Sequence, residues 1–212
     1  MTILHIILEG GGNYKANKRH LRIAFDRLVY KICAPKRPGS VKIEIHPAGG
    51  QHEAISHFFK KHIENRNSPQ IKTILLVDAE EPRKDDRPTK HLEIVHAARK
   101  IEFSTEHESN VYLMQITMEA WLLADHQALE LYYCPETLKL IQSKCPEGTI
   151  TDQFRKTQLF DILHEANHYK HGRNYDKIKD GHEILQRMNP VTASKNSNSF
   201  RDFSNGIKHL IH

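Results

Sequence analysis

Hydrophobic and polar positions alternate in blocks along the first half of the chain, and the blocks predict strands that alternate with helices. A strand is indicated by a short apolar run, or by apolar residues at every second position, between glycine, proline or polar residues. The predicted strands are Ile3–Leu8, Val41–Ile45, Ile71–Val77 and Val111–Ile116. Helices are predicted where apolar residues recur three or four positions apart, in segments spanning residues 21–32, 54–63, 92–98 and 119–125.

After residue 125 the pattern becomes helical. Proline and glycine residues separate the segments, and the polar stretch Asn196–Ser199 is predicted to be a loop. The predicted helical segments are Leu129–Tyr132, Glu136–Ile141, Gln153–Tyr169 and His182–Met188. We therefore predict an α/β core over residues 1–125 and a helical C-terminal extension over residues 126–212 that packs on the core as a cap.

The order of these elements predicts the fold class and the edge of the sheet at which a functional site is expected. Strands that alternate with helices form right-handed βαβ units, so the prediction is an α/β fold with a mostly parallel central sheet flanked by helices. Binding sites in such sheets lie outside the carboxyl ends of the strands. Four carboxylates follow the predicted strand ends: Glu9, Asp78, Glu80 and Glu119.

These carboxylates are suited to a divalent cation. Mg²⁺ takes oxygen ligands, and usually one or two come from each protein segment. Glu9 follows the first strand, and an extended backbone from Asp78 to Glu80 sends both carboxylates of that segment to one face. We predict a metal site made of Glu9, Asp78 and Glu80. Glu119 is either a further ligand or a carboxylate favoured by the dipole at the start of a helix.

The neighbouring residues are suited to binding phosphate. Gly10 and Gly11 directly follow Glu9 and allow a sharp turn with close approach of a phosphate. Basic side chains that could hold substrate phosphates follow in the next helix and in the cap: Lys15, Lys18, Lys177 and His182.

Composition and charge limit the classes of function. The 212 residues carry a net charge of +5, which permits binding to a polyanion such as nucleic acid. Three cysteines without a Cys-x-x-Cys pair argue against a disulfide framework and against a thiolate zinc site. No apolar run approaches the roughly 18 residues of a membrane span, and no signal-peptide pattern precedes the first strand. We expect a globular, cytoplasmic protein with no membrane partner.

The acidic strand ends also carry a resemblance to a known family. Leu8–Gly10 after a first strand and Leu75–Glu80 after a later one resemble the TOPRIM domain. Gly10–Gly12, Gly49-Gly50 and Met118–Asp125 are similar to a family of small bacterial TOPRIM-like proteins, often encoded beside an ABC-type ATPase in phage-defence loci. The similarity continues into the C-terminal part, at Tyr175, Lys177, His182, Leu185 and Pro190.

The resemblance implies a TOPRIM-like Rossmannoid fold and a Mg²⁺- or Mn²⁺-dependent nuclease that cleaves DNA or RNA. Glu9, Asp78 and Glu80 match the metal-binding carboxylates, with Glu119 as a further catalytic candidate, and Glu80 stands where the family usually carries aspartate. The implied partners are nucleic acid and an ABC-type or AAA-like ATPase, in a two-component antiviral system whose toxin effector is this chain, alone or as a homo-oligomer. Relatives of TOPRIM enzymes also bind without cutting, so a catalytically inactive subunit that regulates the ATPase is the alternative.

A second motif predicts a different chemistry. The segment His164–His168 fits H-E-x-x-H, in which two histidines one helical turn apart share Zn²⁺ and Glu165 activates water. No later histidine stands at the spacing of the extended motif, and the apolar face of this helix lies opposite His164 and His168. A solvated histidine face is the favoured interpretation, and a zinc hydrolase is the minor alternative.

Overall fold

The computed structural model describes residues 1–34, 40–79 and 84–211. Within these ranges four parallel strands form a sheet in the order β2-β1-β3-β4. The strands are β1 Thr2–Glu9, β2 Val41–Gly49, β3 Ile71–Asp78 and β4 Val111–Met114. They alternate with the helices α1 Lys15–Cys33, α2 Gln51–Asn65 and α3 Pro88–Val95. The predicted α/β fold, a parallel sheet flanked by helices, is confirmed.

The strand order puts a topological switch point at the centre of the sheet. The chain leaves β1 for the edge strand β2 on one side and then passes to β3 and β4 on the other side. The central strands pair in register, with Leu8 of β1 opposite Leu76 of β3. The crevice outside the carboxyl ends of β1 and β3 is where this type of sheet binds ligands.

Helices cover both faces of the sheet because right-handed connections that run in opposite directions place them on opposite sides. Leu21, Phe25 and Leu28 of α1 are buried on the face formed by Leu4 and Ile6 of β1. On the opposite face, Ala54, Ile55 and Phe58 of α2 pack against Ile7, Leu75 and Val77. Each such fully buried apolar side chain stabilises the fold by about 1.5–3 kcal/mol.

The C-terminal half is helical in the described residues and shares the larger of the two hydrophobic cores. Leu4 of β1, Trp121 of α4 and Ile207 of the last helix belong to one cluster of buried side chains. The helices are α4 Met118–Ala124, α5 His126–Tyr132, α6 Pro135–Lys144, α7 Lys156–His171, α8 His182–Arg187, α9 Pro190–Asn196 and α10 Asn198–Leu210. Among the described residues no helix combines the length and the apolar character needed to cross a bilayer.

The predicted loop at Asn196–Ser199 is wrong. Asn196 ends α9, and α10 begins at Asn198 after the single residue Ser197. The hydroxyl of Ser197 accepts a hydrogen bond of 3.1 Å from the backbone N–H of Phe200, so Ser197 is the N-cap of α10. The polar residues therefore mark a helix boundary, and α9 and α10 were missed because this boundary has the composition of a loop.

Three local features complete the description of the fold. Asp125 caps α5 and accepts hydrogen bonds from the backbone N–H groups of Gln127 and Ala128. Trp121 is fully buried. All three cysteines lie in the described ranges, and each is a thiol.

Candidate functional site

Glu9 and Asp78 meet at the switch point. Glu9 ends β1 and Asp78 ends the neighbouring β3. The backbone N–H of Asp78 donates a hydrogen bond of 3.1 Å to Oε2 of Glu9, which fixes the glutamate against the end of the neighbouring strand. The structure thus brings these two predicted residues together, whereas Glu80 lies outside the described residues.

The two carboxylate oxygens of Asp78 differ in their surroundings. Oδ2 lies 3.3 Å from the hydroxyl of Thr117. Oδ1 is buried and has no hydrogen-bond partner among the described residues. Burial raises the pKa of Asp78, and the nearby Lys177 ammonium opposes this rise. A buried carboxylate oxygen without a donor is costly unless another group compensates it, and a cation is suited to that position.

Glu119 joins the site from the turn after β4, the strand that neighbours β3 in the sheet. It lies in the first turn of α4 and is fully buried. Thr117 donates a hydrogen bond of 2.6 Å to its Oε2, and the hydroxyl of Tyr175 donates one of 3.2 Å to its Oε1. The carboxylates of Glu9, Asp78 and Glu119 therefore follow three adjacent strands at one edge of the sheet.

The turn between β4 and α4 is strained where it positions these groups. Ile116 has a φ of 66°, in the left-handed region, which is an outlier for a β-branched residue. The backbone N–H of Thr117 donates across this residue to the carbonyl of Gln115 at 2.8 Å. Such strain costs on the order of 1–3 kcal/mol and is found mostly at functional sites. Here it brings Thr117 next to Asp78 and Glu119.

The ammonium of Lys177 lies between the carboxylates. Its Nζ is 3.5 Å from Oδ2 of Asp78 and 3.6 Å from Oε2 of Glu119, and it donates a hydrogen bond of 3.3 Å to Thr117. The side chain as a whole is 43% exposed, so the stem is in solvent while the charged end reaches two buried acids. Burial of that end lowers the pKa of Lys177, but Asp78 and Glu119 raise it by more, so the amine stays charged.

A π-helical turn, Lys177–Gly181, holds this lysine in place. Asp180 of the turn is fully buried and accepts two hydrogen bonds from the guanidinium of Arg173, at 2.6 and 2.8 Å. Tyr132 and Asn167 also donate to Asp180, at 2.6 and 2.7 Å. Single π turns of this kind occur frequently at functional sites. The turn is thus held within the cap, and Lys177 connects it to the carboxylates at the strand ends.

The glycines after Glu9 form a turn that other residues would strain. Gly10, Gly11 and Gly12 have φ values of 124°, 79° and 52°. Gly10 exchanges two backbone hydrogen bonds with Gly49, which joins the ends of β1 and β2. A Cβ on Gly11 would lie 2.8 Å from Cγ of Lys18 and 3.0 Å from its Cα, so α1 approaches the turn closely.

Only some of the basic residues that were predicted to bind phosphate lie near the glycine turn and the carboxylates. Lys18 donates to the carbonyl of Ala48 at 3.2 Å, beside the glycine turn. Lys15 is exposed at the start of α1, and no contact joins it to Glu9, Asp78 or Glu119, the site carboxylates that the structure describes. His182 is buried beside the site, and burial lowers its pKa to about 4.

A small cavity of about 90 Å³ lies beside the carboxylates, and its lining includes Glu9, Gly10, Asp78, Lys177 and His182. The apolar side chains of Phe25 and Met118 also line it, so the carboxylates form only part of its wall. The donor set of hard carboxylate oxygens, one of them buried without a donor, fits Mg²⁺ or Mn²⁺.

The carboxylate oxygens of the site lie farther apart than the ligand atoms of a bound metal ion do. In residues 1–34, 40–79 and 84–211, two groups of three side chains have potential ligand atoms all within 4.8 Å of one another. Neither group contains Glu9, Asp78 or Glu119. The Lys177 ammonium among these acids is the cation that the structure holds there. A divalent ion that bridged Asp78 and Glu119 would have to displace it.

The H-E-x-x-H segment has other partners. Nδ1 of His164 accepts a hydrogen bond of 3.1 Å from the backbone N–H of Tyr175, Glu165 pairs with Lys144, and His168 is exposed. None of the three belongs to a group of close potential ligands in the described part of the chain. No contact of this segment favours the zinc-hydrolase alternative.

Two site residues escaped the sequence analysis. Thr117 links Asp78, Glu119 and Lys177, and Tyr175 binds Glu119. In the sequence, the signal that could have identified Thr117 is its place as a polar residue two positions before Glu119. Tyr175 stood in the segment on which the family resemblance was based, but its contact with a residue 56 positions away has no local signal.

The comparisons with known proteins give a family and no function. No curated protein and no solved structure matches the chain. Residues 8–208 match the family described as Domain of unknown function (DUF4276). This range contains the whole candidate site, from Glu9 to Lys177, and most of the chain. The chain therefore belongs to the DUF4276 family.

Proposed function

We propose that this protein is a Mg²⁺-dependent TOPRIM-like nuclease that hydrolyses phosphodiester bonds of nucleic acid. One observation carries the proposal: Glu9, Asp78 and Glu119 follow three adjacent parallel strands, and Oδ1 of the buried Asp78 has no donor among the described residues. Acidic strand ends around a cation are suited to phosphoryl chemistry, because the reacting phosphate and the departing oxygen are both negatively charged.

The residues of the site have separate roles in this proposal. Glu9 and Asp78 hold the cation, and Glu119 either binds it directly or orients it through Thr117. When bound, Mg²⁺ supplies charge neutralisation for the phosphodiester and the leaving oxygen. Lys177 is within reach of the same carboxylates and would hold a phosphate oxygen once a divalent cation takes its place.

The wider assignment rests on charge and on the family resemblance. A net charge of +5 favours a polyanionic substrate. The TOPRIM-like proteins that the chain resembles are often encoded beside an ABC-type ATPase in phage-defence loci. We therefore propose that the protein is a cytoplasmic effector of such a system and that nucleic acid and the ATPase are its partners. Co-purification with the neighbouring ATPase tests the partner separately from the chemistry.

The position of Lys177 favours a second candidate function. Its ammonium compensates Asp78 and Glu119 without a metal ion, and a stable internal cation is what a site retained only for structure would carry. In this alternative the protein is an inactive TOPRIM-like subunit that binds and regulates the ATPase. The two candidates differ in one property, since the inactive subunit leaves nucleic acid intact.

The test is cleavage of defined DNA and RNA substrates by the purified protein, with and without its ATPase partner, in Mg²⁺, in Mn²⁺ and in EDTA. The site variants are Glu9→Gln and Asp78→Asn. The matched controls are Glu102→Gln and Asp161→Asn, which make the same chemical changes at exposed positions. All proteins are purified identically, so that a contaminating nuclease would appear in every sample.

We expect metal-dependent cleavage that the site variants reduce at least 100-fold and the controls preserve, because each variant removes a ligand charge at the reacting phosphate. If the Asp78→Asn variant still cleaves nucleic acid, the activity does not come from this site. No cleavage of any substrate with the partner present, together with a stable complex, would favour the regulatory subunit.

A further inference from the structure

Two histidines and a glutamate form a second cluster on the face of the sheet that α2 covers. His5 lies in the middle of β1, and Glu44 and His46 lie on the edge strand β2. Glu44 is opposite His5 in the strand register, and His46 is opposite Ile7, which packs under α2. All three side chains therefore face α2. His5 is four residues before Glu9, roughly 13 Å along the strand, so the cluster is separate from the acidic site.

Three atoms of the cluster form a nearly equilateral triangle. Nδ1 of His5 is 3.0 Å from Nε2 of His46 and 3.2 Å from Oε2 of Glu44, and the last two atoms are 3.7 Å apart. Zinc binds nitrogen and carboxylate oxygen at about 2.0–2.1 Å in tetrahedral sites, which puts neighbouring ligand atoms roughly 3.4 Å apart. The triangle matches one face of such a tetrahedron.

We propose that His5, Glu44 and His46 form a binding site for Zn²⁺. Two imidazole nitrogens and one carboxylate oxygen are a ligand set that Zn²⁺ uses, whereas Mg²⁺ prefers oxygen ligands alone. The protein would then carry two sites of different selectivity, and this proposal is independent of the nuclease proposal.

A neighbouring lysine orients the glutamate of the cluster. Lys42 contacts the other oxygen of Glu44, Oε1, at 2.7 Å and leaves Oε2 directed at the histidines. Such outer contacts orient metal ligands in known sites.

The fourth position of the tetrahedron has a candidate ligand on α2. The ring of His57 on α2 lies edge-on to the ring of His46, with 5.4 Å between their centroids, so this histidine can approach the triangle from the α2 side. The side chains of Glu44 and His46 are partly exposed on the edge strand, which gives an ion and a coordinating water access to the triangle.

A superficially similar group at the other end of α2 does not meet the same requirements. His62, Glu106 and His107 also have potential ligand atoms within 4.8 Å of one another. However, Nδ1 of His107 accepts a hydrogen bond from the backbone N–H of Ser104 at 3.0 Å. In a neutral ring the proton then lies on Nε2, the nitrogen that faces the group, so His107 is protonated where a metal would bind.

The experiment measures zinc binding by full-length protein from which any histidine tag and all metal have been removed. Zn²⁺ is titrated by calorimetry, and the metal retained after gel filtration is counted by mass spectrometry. The ligand variants are His46→Ala and Glu44→Gln on the edge strand. The controls are His52→Ala, an exposed histidine of α2, and His168→Ala, which disrupts the H-E-x-x-H segment. Circular dichroism verifies that each variant is folded.

We expect one Zn²⁺ per chain for the wild type and for both controls. Both ligand variants are expected to bind more than about 100-fold more weakly, because loss of even an outer contact costs roughly 10–100-fold in affinity. Zinc at a hundred-fold excess over its Kd should raise the Tm of the wild type by on the order of 5 °C and leave that of His46→Ala unchanged. Absence of zinc binding by the wild type, or undiminished binding by both ligand variants, would overturn the proposal.

Discussion

At the scale of single residues, the charge balance of the candidate site depends on Lys177. Asp78 and Glu119 are both buried, and the charge of Glu119 adds to the effect of burial in raising the pKa of Asp78. The ammonium at 3.5 and 3.6 Å compensates them in the absence of a divalent ion. A lysine can give up this position to a divalent ion, because its ammonium is a point charge on a flexible stem and has no fixed geometry to lose.

Replacement of this lysine should therefore be rescued by metal. We expect Lys177→Met to lower the free energy of unfolding by about 2 kcal/mol in EDTA, less than for a fully buried pair because solvent screens the exposed stem. Mg²⁺ should raise the Tm of the variant by more than it raises that of the wild type. Thermal denaturation with and without Mg²⁺ measures both effects, with exposed Lys179→Met as the control. A variant as stable as the control, with no response to Mg²⁺, would refute this role.

Gly11 limits the shape of the turn that follows Glu9. Its φ is 79°, and an added Cβ would meet the side chain and backbone of Lys18. Gly11→Ala should cost about 3 kcal/mol, the sum of backbone strain and overpacking. Gly148→Ala has a similar φ of 86° but nothing within 4 Å of the new Cβ, so it should cost about 1 kcal/mol. Urea denaturation compares the two, and equal losses would show that α1 moves away without cost.

At the scale of elements, the π turn connects the cap to the sheet. Burial raises the pKa of Asp180, but hydrogen bonds from Arg173, Tyr132 and Asp176 outweigh it, and the pKa lies well below its usual value. A carboxylate with a lowered folded-state pKa contributes stability that is complete above its ordinary pKa and is lost as the pH falls towards the folded-state value. The turn should therefore loosen in acid.

Asp180→Ala tests this element. The variant should lose about 3 kcal/mol of stability at about pH 7, because several charge-assisted hydrogen bonds are removed together. The loss should be smaller at about pH 3, where the wild type begins to lose the same contribution. Chemical denaturation at the two pH values measures the difference. A loss that does not change with pH would contradict the assignment of the low pKa to Asp180.

At the scale of the whole molecule, one hydrophobic core spans the sheet and the C-terminal helices. Trp121 of α4 stacks on Phe203 of α10 with 5.3 Å between ring centroids, and Phe203 also contacts Tyr112 of β4. Because the larger cluster runs from Leu4 to Ile207, we predict that residues 1–125 and 126–212 do not unfold separately.

Phe203→Ala tests this cooperativity. It should cost about 3–5 kcal/mol, as large-to-small core changes do, while Phe154→Ala at a half-buried position should cost less. Trp121, the single tryptophan, reports on the core by fluorescence, and circular dichroism reports on all helices. The two signals should change at the same denaturant concentration in the wild type and in both variants. Separate transitions would show two independent units.

The sequence predicts those features that depend on local pattern and on rules of topology. Glu9 and Asp78 directly follow apolar strands, so the rule for parallel sheets was enough to place them at one edge. The contact of Lys177 with Asp78 joins residues about a hundred positions apart, and no periodicity encodes it. The His5, Glu44 and His46 triangle depends on the register between β1 and β2, which a strand pattern alone does not specify.

Anomalous diffraction from crystals soaked in Mn²⁺ tests most directly whether a divalent cation binds at the acidic strand ends. We expect a peak about 2.1 Å from carboxylate oxygens of Glu9 and Asp78, with the Lys177 ammonium moved away from Asp78. The same peak should be absent in Asp78→Asn. A map without a peak at this edge, with Lys177 still between Asp78 and Glu119, would contradict the metal site and the nuclease function built on it.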